Sequence, residues 1–270
     1  MSPELRAIFK LHGTEFVREL LAWEQRRFSA ESFAGHSAFE EICADFGQFP
    51  RFRAYPVYFV GDLDSPRNKH VFIGINPGYK QENNSRENEY LDRVGLYEGY
   101  CKIFRDFFPG DASSGKRYYS NLFGFCRRQF SLEERSFAWQ WFHENVIHLD
   151  LIPFHSASVQ GLAINDLTYF KERYFEVLLK ILRYLSPQEP VFFNGFPTIA
   201  SLLRGSNGRR GEEIKAMIEF EKRGAVYRGK IAGEFNFIGL PFQTRVKGGK
   251  DQLVANLREI DKSDPSSWTR

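Results

Sequence analysis

A chain of 270 residues, 42% of them hydrophobic, is long enough for one large α/β domain or two small ones around a substantial core. The net charge of +3 permits contact with nucleic acid without demanding it, so local clusters carry more information than the sum. Cys43, Cys101 and Cys126 are odd in number and form no C-x-x-C pair, and the histidines form no H-x-x-x-H pair, so neither a disulfide framework nor an iron–sulfur site is indicated and no motif supports metal ligation. No apolar run approaches the ~18 residues of a membrane span, and Met1-Ser2-Pro3-Glu4 does not begin a signal pattern. A soluble, intracellular protein with free thiols is the expectation.

Residues 3–28 carry Leu5, Ile8, Phe9, Phe16 and Leu20 at helical spacing, and 38–46 repeats the pattern. A short strand is predicted over 55–61, followed by the turn Asp62-Leu63-Asp64-Ser65-Pro66. The β-branched and aromatic run Val71-Phe72-Ile73-Gly74-Ile75 then reads as a buried parallel strand, which Pro77 ends by removing a backbone donor. Asn76 is left at the mouth of that strand, where ligands bind in open α/β sheets. A helix is predicted over 87–108 and another over 132–144, with aromatics and Arg127-Arg128 mixed between them.

Residues 146–155 read as a second buried strand in which Asp150 and His155 are out of place and need partners. A helix over 169–185, a strand over 190–195 and a helix over 197–203 follow, then one more helix over 213–223. A strand over 234–240 leads into the basic loop 241–250 and a closing helix over 251–260. Alternating strands and helices predict a three-layer αβα sandwich around a mostly parallel sheet of four or five strands. The sequence divides into a helical segment 1–54, an α/β domain 55–260 and a tail 261–270. The 28 Phe and 12 Tyr are many for this length; most must be core, and any left at a pocket are the kind of side chain that stacking on a nucleobase would use.

Three motifs in order resemble the uracil-DNA glycosylase superfamily, most closely its single-strand-selective monofunctional and mismatch-specific branches. Gly74-Ile75-Asn76-Pro77-Gly78 is similar to the water-activating motif, Ile147-His148-Leu149-Asp150-Leu151-Ile152-Pro153-Phe154 to the strand that reads the base edge, and Gly239-Leu240-Pro241-Phe242-Gln243-Thr244-Arg245 to the minor-groove loop. The resemblance implies a DNA glycosylase in which Asn76 positions the attacking water. Gly74, Ile75, Gly78, Tyr79, Asp150 and His155 are then candidates for the base pocket, and Phe242, Arg245, Lys247 and Lys250 for contact with DNA. The chain departs from the family at Leu240-Pro241-Phe242, where the usual motif is His-Pro-Ser, and at Asp150, where the usual residue is Asn.

Asp150 carries the sharpest inference. An Asn there matches uracil, whereas an Asp accepts from the amino group of cytosine and, when protonated, donates to N3. Gly78 stands where the strictly uracil-specific branch has a tyrosine, and leaves room at C5. The expected substrate is therefore a flipped, C5-modified cytosine, such as glucosylated hydroxymethylcytosine of phage DNA, excised by a monomeric bacterial cytoplasmic defence enzyme. Duplex or single-stranded DNA is the expected partner, with no membrane, metal or organic cofactor. Repair of uracil or an oxidised pyrimidine, and non-catalytic nucleic-acid binding, are the other readings.

Overall fold

The computed structural model describes residue 3; residues 57–75 except 58 and 66–68; 87–106 except 88, 92 and 95; 117–152; 167, 168 and 171; 175–241 except 188, 207 and 225; and 254, 255 and 257. The strands are β1 (Phe59–Val60), β2 (His70–Gly74), β3 (Val146–Asp150), β4 (Val191–Asn194), β5 (Ile218–Arg223), β6 (Val226–Ile231) and β7 (Phe235–Leu240). The helices are α1 (Leu96–Asp106), α2 (Arg117–Gln129), α3 (Arg135–Asn145), α4 (Phe175–Leu185), α5 (Phe196–Gly205) and α6 (Arg209–Met217). Together the strands form one mixed sheet in the order β1-β3-β2-β4-β7-β6-β5.

The four central strands β3-β2-β4-β7 run parallel and are mainly apolar because both of their faces are covered, with His148, Asp150, Asn194 and Asn236 among the polar exceptions. Phe72 of β2 and Phe192 of β4 stack at 5.0 Å, and Phe125 of α2 meets them edge-on at 6.0 and 5.9 Å. On the opposite face Phe193 of β4 and Phe237 of β7 pack against Phe196 of α5 at 4.9 and 4.8 Å. The three layers are thus joined through phenylalanines. Among the described residues only Phe137 is a large exposed hydrophobic, so the aromatic surplus there is spent on the core.

The sheet differs from the sequence expectation at its flanks, with seven strands where four or five are expected. β1 is only two residues long and pairs antiparallel with β3. The helix predicted over 213–223 stops at Met217, and Ile218–Arg223 is instead a strand antiparallel to β6, which in turn is antiparallel to β7. Glu219, Glu221 and Lys222 are good helix formers, but Ile218 and Phe220 alternate with them at period two, and pairing with β6 outweighs local propensity. Gly229 permits that pairing: a Cβ there would lie 2.0 Å from the Glu219 carbonyl oxygen.

The mixed aromatic and basic stretch after residue 116 is the helix α2, and the second buried strand ends at Asp150. Residues 254, 255 and 257 are helical within the closing segment. The predicted helices over 3–28 and 38–46, apart from residue 3, the loop 242–250 and the tail 261–270 lie outside the described residues. None of the described helices is long and apolar enough to cross a membrane.

Candidate functional site

Because β2 is central, the chain leaves it toward β3 on one side and returns to β4 on the other. The switch point of the parallel sheet therefore lies between the carboxyl ends of β2 and β4, where a crevice opens in folds of this kind. Gly74 closes β2, Asp150 closes β3, Asn194 closes β4 and Leu240 closes β7. Register places these residues in one row. Gly74 pairs with Asp150 and Asn194 with Leu240, while the pairs Phe72 with Phe192 and Ile73 with Phe193 bring Gly74 alongside Asn194 when continued by one residue.

The preceding row on the same face is His148, Phe72, Phe192 and Ile238. His148 Nδ1 lies 3.8 Å from Asp150 Oδ2, and both side chains are buried. Gly74 is what lets them sit there: a Cβ at this position would come within 2.4 Å of Asp150 Oδ1 and 2.9 Å of His148 Nε2. The carboxyl and the imidazole lean into the space a side chain would fill. Beyond the strands, Leu151 N–H donates to the Gly74 carbonyl at 3.0 Å and Ile152 N–H to the Ile75 carbonyl at 2.9 Å, which fixes the first steps of both exits.

Burial dominates the electrostatics. It pushes the Asp150 carboxyl well above the ordinary carboxylate range, and the nearby Glu87 carboxylate adds to the effect. Burial likewise pushes His148 down from 6.5 to about 3, so its imidazole is neutral. Asp150 therefore holds a proton across acidic pH and presents one donor and one acceptor, which an ionised carboxylate does not. Among the described residues, Asp150 Oδ2 and Asn194 Oδ1 have no hydrogen-bond partner although Asp150 and Asn194 are 2% and 3% exposed. Buried oxygens of this kind call for a donor.

Of the residues expected at the site, the structure brings together Gly74, Ile75 and Asp150. Asn76, Gly78, Tyr79, His155, Phe242, Arg245, Lys247 and Lys250 lie outside the described residues. Asn194 and the buried Glu87 were not anticipated. The signal for Asn194 was present, since it ends an apolar strand as Asp150 does; Glu87 sits in a polar segment that gives no such sign.

Two other clusters resolve differently. Asp62, Asp64 and Cys101 lie within 4.8 Å of one another, but at the opposite edge of the parallel strands, where the buried ammonium of Lys69 stands 3.9 Å from Asp62 and donates to the Glu144 carbonyl. A cation is already built in there. In the basic group around α6, Arg209 pairs with Glu213 at 3.1 Å and Lys215 with Glu212 at 2.9 Å, while Arg204 lies over Phe220 and Tyr227. These charges serve the fold's own surface. The chain matches no known family model, no curated protein and no solved structure.

Proposed function

We propose that the protein is a monofunctional DNA glycosylase that hydrolyses the N-glycosidic bond of a flipped cytosine-type nucleotide carrying a C5 substituent, as in modified phage DNA. The observation that carries this reading is the Asp150 carboxyl, buried at the carboxyl edge of the sheet beside a glycine and driven toward its protonated form. Its carbonyl oxygen accepts from the exocyclic amino group and its hydroxyl donates to N3, a pairing that fits cytosine and sets acceptor against acceptor at O4 of uracil. The hydroxyl also stabilises the base as it leaves, because negative charge gathers on the ring when the bond breaks.

In the reaction, the water oxygen bonds to C1′ and gives up one proton, the C1′–N1 electron pair departs with the base, and the base takes up a proton in place of the one that the water releases. Asn76, two residues beyond Gly74, is placed by sequence to hold that water. No lysine in the three motifs is positioned for a Schiff base, so the product is an intact abasic site.

The test is a panel of DNAs containing uracil, cytosine, hydroxymethylcytosine and its glucosylated form, assayed for free base and alkali-labile strands. Release from the modified cytosines is expected, with Asn76→Ala losing ~10²-fold or more while DNA affinity stays within a few-fold. Asp150→Asn should shift preference toward uracil. Efficient release of uracil alone by the wild type would overturn the cytosine assignment, and no release from any DNA would leave a nucleic-acid binder on the same fold.

A further inference from the structure

The row that holds Asp150 continues past Gly74 to Asn194, and the two polar residues flank a glycine over which the Asp150 carboxyl leans. With neighbouring strands ~4.8 Å apart, their Cα atoms are separated by about 10 Å across the switch point. Both side chains are short and lie in register on one face, and each has a buried oxygen with no hydrogen-bond partner among the described residues. An amide can offer Nδ2–H to a ligand, but the orphan at Asn194 is its acceptor Oδ1, so the missing group is a donor.

On the reading given under Proposed function, Asp150 accepts one hydrogen of the cytosine amino group. That amino group has a second hydrogen, and cytosine has no other donor once N1 is bonded to sugar. A planar NH₂ bridging two oxygens with bonds of about 2.9 Å spans about 5 Å between them, which two short side chains can frame from opposite sides of a glycine. We propose that Asp150 and Asn194 together clamp both hydrogens of one exocyclic amino group, making Asn194 a second contact that selects 4-aminopyrimidines.

The clamp explains what a lone Asp150 does not. Uracil presents a carbonyl oxygen to the same place, leaving two buried acceptors orphaned and facing a third. Discrimination by a site built to bond a particular group exceeds what a neutral pocket achieves, because the unsatisfied partners are themselves costly.

The experiment uses the wild-type protein first, on DNAs whose target cytosine carries zero, one or two methyl groups on the amino nitrogen, read as single-turnover base release. Rates should fall with each hydrogen removed. Asn194→Leu should slow the unmethylated substrate about tenfold, as expected for one lost buried bond, and should narrow the gap between the unmethylated and monomethylated substrates. A wild type indifferent to methylation, or an Asn194→Leu variant that loses equally on all three substrates, overturns the clamp while the glycosylase stands. If no DNA releases base, the glycosylase falls, and calorimetry with free nucleosides decides the clamp: a preference for cytidine over uridine that Asn194→Leu abolishes supports it, and equal or absent binding overturns it.

Discussion

His148 and Asp150 are two residues apart on one strand, and burial moves their protons in opposite directions. The folded His148 stays neutral down to about pH 3, whereas an unfolded chain protonates it near 6.5. Acidification through that window therefore favours the unfolded chain, and stability falls as pH falls from 6.5 to about 3. Asp150 acts on the other side: the fold keeps a proton that the unfolded chain has released above 3.8, so stability falls as pH rises toward its raised value. Each proton contributes a slope of at most about 1.4 kcal/mol per pH unit. Urea titrations at a series of pH values should show His148→Gln flattening the acid limb and Asp150→Asn flattening the other, with Asp150→Asn more stable than wild type at neutral pH. An unchanged acid limb in His148→Gln would remove the histidine from this role. Asp150 was legible in the sequence as a charge in an apolar run. The place of His148 beside Gly74 was not legible in the same way, because it depends on the pairing of β2 with β3.

At the level of single elements, a strand's end matters as much as its middle. β2 closes on a glycine whose absent side chain is replaced by groups from β3, so Gly74→Ala should displace Asp150 and His148. A loss of roughly 1–3 kcal/mol in urea melts is the expected outcome, and on the proposed glycosylase activity base release weakens with it. Gly205→Ala is the matched control, since a Cβ there meets no heavy atom within 4 Å. Its stability should stay within about 0.5 kcal/mol of wild type. Equal behaviour of the two variants would show that the space at Gly74 is not committed. The sequence announced β2, β3 and β4 clearly, because buried parallel strands are predominantly apolar runs. It concealed β5 and β6: their solvent-facing positions carry Glu, Lys and Arg, and Gly229 reads as a breaker until its neighbour's carbonyl is in place.

Across the molecule, alternation of strands and helices was enough to infer an α/β fold with layers on both faces of a parallel core. The antiparallel flanks were not inferable in the same way, since they depend on a hairpin with polar outer positions rather than on a repeating β-α unit. The site followed the same division. That Gly74 lies at the carboxyl end of its strand was legible from strand polarity, whereas the row Asp150, Gly74, Asn194 required registers between strands that are distant in sequence.

That contrast between near and distant pairing also sets a time order for assembly. β5, β6 and β7 follow one another through turns of a few residues, with Gly224 and Gly233 at positive φ, so their contacts close short loops. The parallel core must instead bring β2 to β3 and then to β4 across long connections, and non-local pairing of this kind is slow to form. Pulse-labelled hydrogen exchange during refolding should protect amides in Ile218–Leu240 before those of His70–Gly74 and Val146–Asp150. Simultaneous protection of both groups would argue instead for a single cooperative step. If the hairpin leads, the row Asp150, Gly74 and Asn194 is the last part of the sheet to come into being, and a chain slowed in folding would hold an ordered antiparallel flank while its buried polar edge is still unassembled.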